Sequence, residues 1–390
     1  PSLRGKAVAV CGSTEDRHGI VLAKSELAKK SGVKTGMVNF DAKRLCPQLI
    51  VVPPQYEQYL KYSALVRDIY ARYTDQIEPF GMDECWLDVS GSRKLFGDGM
   101  KIAETIRRTV KEELGLTISI GVSFNKVFAK LGSDLKKPDA ITEITQENFK
   151  EKVWPLPASE MIYVGRATEK KLAGYGIHTI GDVAQTDPDN LKRWFGKCGL
   201  AIWVYARGLD ESRVMHKDFV SPVKSLGHGI TCVEDLKNDD EVWKVMLELS
   251  QDIGHRLRVH KLLAGGVQIT AKSNDLSYRQ YQVQFSGATR SAQTIAEAAH
   301  KLFVKQYDWY KPVRAVTIRA INLLPYGNPQ QLDLFTDPVK LERRDQFENT
   351  IEDIRRRFGN KAVTFASLMG DLKMPGRDMH EVIMPNIMYQ

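Results

Sequence analysis

The chain has 390 residues, 43% of them hydrophobic and 27% charged, with a net charge of +8. That length holds two to four domains at roughly 100–200 residues each, and the balance is that of a folded, water-facing protein. No apolar run approaches the roughly 18 residues that span a bilayer, and no signal peptide opens the chain. Five cysteines (Cys11, Cys46, Cys85, Cys198 and Cys232) are too sparse for a disulfide framework, and none forms a C-x-x-C pair. They read as reduced thiols in a cytoplasmic protein with no structural zinc and no membrane partner. The positive excess suits a polyanionic partner, and equally a solvated surface.

The chain opens without a methionine at "PSLRGKAVAV", a turn running into a strand over Lys6–Val10, so a segment upstream is expected. "GIVLAKSELAKKSGVKTGM" predicts a short helix with lysines at 24, 29, 30 and 34. A longer helix is predicted over 56–73. "GMKIAETIRRTVKEELGL" sets Ile102, Ile106, Val110 and Leu114 on one helical face, and Gly115 ends that helix. "TISIGVS" reads as a strand and "NKVFAKLGSDLKKP" as a helix stopped by Pro138. Strands alternating with helices predict an α/β or α+β domain to about residue 146.

A helical module follows over 147–210. It contains "YVGRATEKKLAGYGIHTIGDVA" and "LKRWFGKCGLAIWVYARGLD", each with a Gly-containing turn between short helices. Such turns expose backbone N–H groups that fit phosphate, and they also serve as plain helix caps. "ESRVMHKDFVSPVK" is polar and irregular and reads as a linker. Beyond it the predicted order is β-α-β-β-α-β, a compact module with an open sheet face bearing Lys272, Arg279, Arg314 and Arg319. The last stretch holds the apolar cluster Leu332, Leu334 and Phe335. An amphipathic helix follows it, with Phe347, Ile351, Ile354 and Phe358 on one side.

One segment stands apart. "GMDECWLDVSGS" (Gly81–Ser92) sets Asp83 and Glu84 side by side between apolar residues that read as buried strand. Neighbours on a regular strand face opposite ways, so both reach one place only where the chain bends. A hairpin turn accounts for the pair. So does a divalent-metal site, because Mg²⁺ takes hard oxygen ligands from one or two carboxylates plus phosphates.

Taken together, "FGMDECWLDV", "GVSFNKVFAKLGSDLKKP", the helix–hairpin–helix stretch and "KSLGHGIT" resemble the Y-family translesion DNA polymerases, most closely their UmuC-like branch, over nearly the whole chain. The second block is similar to the family pattern GxSxNKxLAKxASDxxKP. The resemblance implies an α+β multidomain right-hand polymerase. Its parts would be fingers at 1–54, palm at 55–146, helix–hairpin–helix thumb at 147–210, linker at 211–222, βαββαβ little finger at 223–325 and a tail at 326–390. It implies error-prone, template-directed DNA synthesis across damaged DNA, as in the SOS response, with two Mg²⁺ ions, primer-template DNA and deoxynucleoside triphosphates. The alternative is a non-catalytic DNA- and clamp-binding repair factor.

On this resemblance Asp83 and Glu84 are the second and third acidic metal ligands and the catalytic pair, while Asp88, also part of the family pattern, is structural or lies just outside the ligands. Lys137 and Lys29 meet the nucleotide's phosphates. Gly165, Lys170, Gly196, Lys224, Arg279 and Arg319 contact DNA. Three departures stand out. Glu26 in "SELAK" replaces a family tyrosine that holds phosphate. Tyr163 takes the place of the first hairpin glycine. The first metal-binding Asp of the family would lie upstream of Pro1, so the chain as it stands is expected to have weak or absent catalysis. "QLDLF" resembles the peptide that bacterial polymerases insert into the sliding clamp. Leu334 and Phe335 would enter an apolar pocket, with Leu332 beside them and Gln331 hydrogen-bonding at its edge. UmuC-like proteins also work with accessory activating proteins.

Overall fold

The computed structural model describes residues 2–328, 337–359 and 362–375. The peptide Gln331–Phe335 lies outside the described residues. The chain forms two compact units. Among the described residues, those up to Pro54 and from Pro222 onward make the first, and Gln55–Ser221 make the second.

The first unit begins with β1 (Val8–Cys11), the centre of a three-stranded sheet between antiparallel β2 (Val21–Lys24) and parallel β3 (Ile50–Val52). Helices α1 (Glu26–Lys30) and α2 (Asn39–Leu45) cover it. The stretch predicted as one short helix therefore splits. Val21 is fully buried against β1 and favours a strand, while the Ser25 hydroxyl accepts the Ala28 N–H and starts a helix. Small residues (Ala9, Ala28, Ala42, Cys46) let sheet and helices approach closely.

The second unit starts with α3 (Tyr56–Tyr70), then the hairpin of β4 (Ile77–Pro79) and β5 (Cys85–Leu87). A short helix α4 (Arg93–Phe96) precedes α5 (Gly99–Leu114), which buries Ile102, Ile106 and Val110 against Ile69, Tyr70 and Ile77. Asp98 caps its start, and Gly115, at φ 68°, closes it in the left-handed conformation that glycine adopts at no steric cost. Strand β6 (Ile120–Ser123) crosses through α6 (Lys126–Leu135) to parallel β7 (Ile141–Ile144). The Asn125 side chain accepts the Phe128 N–H at 2.8 Å and starts α6. Five helices follow: α7 (Phe149–Val153), α8 (Arg166–Ala173), α9 (Ile180–Gln185), α10 (Pro188–Phe195) and α11 (Lys197–Ala206). Their core of Leu172, Ile180, Val183, Leu191 and Ile202 is continuous with Val127, Phe128 and Leu131 of α6. Residues 211–221 form no helix or strand. The Met215 N–H donates to Glu78 at 3.0 Å and the Lys217 N–H to the Asp75 carbonyl at 2.9 Å.

The first unit resumes with β8 (Leu226–Leu236), α12 (Asp239–Val259), β9 (Leu262–Ser273), β10 (Tyr278–Thr289), α13 (Ala292–Gln306) and β11 (Val313–Pro325). The strands pair antiparallel in the order β10-β9-β11-β8. Val267, Ile269, Ile318 and Ala320 pack on one face against Val242, Met246, Leu249 and Phe303 of the helices. The last α-helix among the described residues, α14 (Pro338–Phe358), has no fully buried residue.

Candidate metal and nucleic-acid site

The acid pair sits in the turn joining β4 to β5, closed by the Phe80 N–H on the Glu84 carbonyl at 2.9 Å and by the Ser63 hydroxyl on the Met82 carbonyl. Two lysines one helical turn apart on α6 hold this hairpin. Lys126 bonds both carboxylate oxygens of Glu78 at 2.8 Å and lies 4.7 Å over the Trp86 ring, and the Trp86 indole donates to the Lys126 carbonyl at 2.9 Å. Lys130 stands 3.2 Å from Glu84 and also bonds Asp134, whose other oxygen meets Lys137 at 2.8 Å. Asp83 is exposed and makes no ion pair among the described residues. Asp88 accepts the Ser90 N–H at 2.9 Å and closes a local turn.

Electrostatics around the pair follow from burial and charge. The Tyr70 phenol is pushed up by burial, with Cys85 and Asp83 adding to it. Burial pushes the Cys85 thiol up to about 11, with Arg67 opposing and the two acids adding, so it stays protonated. Asp134 is penalised by burial, yet Lys130 and Lys137 hold its carboxyl below the usual range. Two adjacent carboxylates, one without an ion pair among the described residues, fit a Mg²⁺ ion that completes its shell with water and phosphate oxygens. No third His, Cys, Asp or Glu among the described residues joins them.

The other predicted residues scatter over both units. Lys137 follows α6, more than half exposed, at a cis bond to Pro138. Lys29 lies on α1 of the first unit, exposed, 3.6 Å from Glu26. Gly165 caps the start of α8, with open space where a Cβ would stand, and Lys170 is exposed on the same helix. Tyr163, in the place of a glycine, takes φ 69° and is exposed. Gly196 at φ 63° joins α10 to α11 with equally open space, whereas a Cβ on Gly199 would meet the Leu191 carbonyl oxygen at 2.0 Å. Both hairpins thus present a helix N-terminus to solvent, the geometry that receives phosphate.

Lys224 is exposed before β8. Arg319 is exposed on β11 beside Gln268 of β9 and Gly227 of β8, on the sheet face away from the helices. Arg279 pairs with buried Ala271, which puts it on the helix-side face at the sheet edge, 5.4 Å over the Tyr310 ring. The two arginines therefore occupy opposite faces. Sequence reasoning missed the Lys126–Glu78 and Lys130–Glu84 contacts. The spacing of 126, 130 and 134 signals a shared helical face, but nothing local names the partners.

Comparison with known proteins matches residues 1–134 to the impB/mucB/samB family, 223–334 to that family's C-terminal domain, and 163–210 to the DNA polymerase-iota thumb domain. The DNA polymerase IV of Acetivibrio thermocellus is 46% identical over 371 residues, covering 95% of this chain and 93% of the relative. The DNA polymerase IV of Moorella thermoacetica is 34% identical, covering 93% and 90%. Among solved structures, a Y-family DNA polymerase chimera superposes with a TM-score of 0.72 at 22% identity, covering 83% of this chain and 93% of the other. At that identity the last likeness speaks to the fold alone.

Proposed function

The chain belongs to the Y family of DNA polymerases, and on that premise we propose that Asp83 and Glu84 form its metal-binding catalytic pair for synthesis across damaged template. The observation that carries this reading is the acid pair at the tip of a hairpin fixed to α6 by Lys126 and Lys130. The protein is a DNA-directed DNA polymerase acting with primer-template DNA and deoxynucleotides, and a divalent cation belongs to that chemistry. No helix among the described residues is long and apolar enough to cross a membrane.

When bound, two Mg²⁺ ions would supply charge neutralisation at the phosphates and a lowered pKa at the primer hydroxyl. The protein's own groups do the rest. Asp83 offers a carboxylate with no ion pair among the described residues, and Glu84 a second carboxylate beside it, held by Lys130. Lys137, and Lys29 from the fingers segment, bring ammonium charge to the β- and γ-phosphates. The helix starts at Gly165 and Gly196, where the space beside each glycine is open, receive the DNA backbone together with Lys170. Lys224, Arg279 and Arg319 are the DNA contacts proposed for the first unit, the two arginines on opposite faces of its sheet. The peptide Gln331, Leu332, Leu334 and Phe335 reads as the anchor for a sliding clamp, supported by its sequence.

The test is primer extension by the full protein in Mg²⁺. Asp83→Asn and Glu84→Gln should each lower the extension rate by at least about 100-fold while primer-template affinity holds, since only a transition-state interaction is removed. Extension at the unsubstituted rate by either variant would refute the assignment and leave the DNA- and clamp-binding reading.

A further inference from the structure

Four charged side chains of alternating sign run from the acid pair along α6: Glu84, Lys130, Asp134 and Lys137. Lys130 is the hub. Its side chain is only 18% exposed, and its ammonium touches one carboxylate of the acid pair and one of its own helix. Burial works against that ammonium, and its pairing with Asp134 and Glu84 more than offsets the penalty. Asp134 in turn divides its oxygens between Lys130 and Lys137.

We propose that Lys130 is a resident counter-cation of the acid pair, a positioning residue that holds Glu84 in the metal-free protein and passes to Asp134 when a divalent cation docks. This rests on the reading that Asp83 and Glu84 bind that cation. The physical reason is mutual repulsion: an ammonium 3.2 Å from Glu84 and a divalent ion on the same carboxylate oppose one another. Lys130 need not be left unpaired when it yields, because Asp134 already touches it. As Lys130 settles on Asp134, that carboxylate is less available to Lys137. Lys137, more than half exposed, is then freer to meet phosphate. The chain of charges couples cation docking at one end to release of a phosphate-binding lysine at the other, and such coupling is reciprocal.

The experiment titrates Mn²⁺ into the nucleotide-free full-length protein and follows free Mn²⁺ by electron paramagnetic resonance. Lys130→Met removes the competitor and should tighten Mn²⁺ binding by about three- to tenfold, the scale of a partly exposed charge pair. Asp134→Asn removes the alternative partner, commits Lys130 to Glu84 and should weaken binding by about threefold on the same scale. Lys130→Arg keeps the charge and should stay close to the unsubstituted protein. Opposite shifts from the first two support the proposal, because a loss of packing would move both the same way. Unchanged affinity, or shifts of one sign, overturn it, and Asp134→Asn alone decides should Lys130→Met not fold. If the unsubstituted protein shows no saturable Mn²⁺ site that Asp83→Asn and Glu84→Gln abolish, the metal-site reading falls as well. If that site exists and Lys130 leaves it unmoved, only the counter-cation role is lost.

Discussion

Helices α12 and α14 belong to the same unit and are each 21 residues long, yet they are held by opposite kinds of force. α12 lays Val242, Met246, Leu249, Ile253 and Leu257 into the core under the four-stranded sheet. α14 has no fully buried residue and docks by its polar side. Asp345 takes both arms of Arg290 at 2.8 and 2.6 Å, Glu348 meets Arg258 at 2.8 Å and the Ser291 hydroxyl, Glu352 meets His255 at 2.7 Å, and Arg355 meets Gln251 at 3.1 Å. Its apolar residues Phe347 and Phe358 are 62% and 74% exposed. The amphipathic pattern is present, but the side facing the protein is the charged one. Apolar docking offers no charge to screen or titrate, whereas a polar dock depends on ionic screening, on pH and on partner geometry.

The sharpest way to break this contrast is in the core. Leu249→Ala, at a fully buried position, should cost about 2–5 kcal/mol of the first unit's stability in urea unfolding. A smaller loss would mean the α12 core is not what holds the module. The polar dock should respond differently to single and paired changes. Arg258→Met alone leaves Glu348, a largely buried carboxylate, without its guanidinium, and should cost about 1–3 kcal/mol. Adding Glu348→Leu should recover most of that loss, because well-packed apolar groups often replace a buried ion pair at no net cost. Additive losses in urea unfolding would show that the pair is worth more than its desolvation.

The smallest expected effect is a pH dependence. The Glu352 carboxylate holds His255 above its ordinary value against the opposing effect of burial, while Asp252 adds to the shift and Arg256 works against it. A raised folded-state pKa stabilises fully below the unfolded value and is lost as pH rises through the folded one. Glu352 is held low despite burial, so its share fades only in acid. Amide protection in α14 should therefore fall slightly as pH rises from 6 to 8, by less than about 1 kcal/mol since the histidine is partly exposed. His255→Gln should flatten that slope, and an unchanged slope would move its origin elsewhere.

What the sequence made legible was whatever local pattern controls. Ile102, Ile106 and Val110 announced the buried face of α5, and Gly115 its end, because a periodic apolar stripe and a left-handed cap are written in consecutive residues. The β-α-β-β-α-β order was readable for the same reason. The acid pair and its bend were visible because two carboxylates in an apolar stretch demand an explanation. Non-local charge pairing was not visible. Lys130 meets an acid 46 positions away, and Arg258 one 90 positions away, and no spacing distinguishes these partners from dozens of other charges. The orientation of α14 failed to show for that reason, since apolar periodicity marks the inward face only when burial is apolar. The strand β2 hid inside a helical-looking run because its neighbour β1, not its own pattern, decides its conformation.

Gly121 carries a warning for anyone surveying substitutions in this protein. A single added methyl there would press to 1.8 Å of the Ala129 carbonyl oxygen and within 2.6 Å of the Ser133 nitrogen, both in the backbone of α6. The helix has no slack to give, and it aims Lys126 and Lys130 while leading into Lys137. One hydrogen replaced by carbon would thus disturb three ammonium groups at once. A screen scored on DNA synthesis alone would rank this strand glycine beside the carboxylates, though its contribution is clearance and not chemistry.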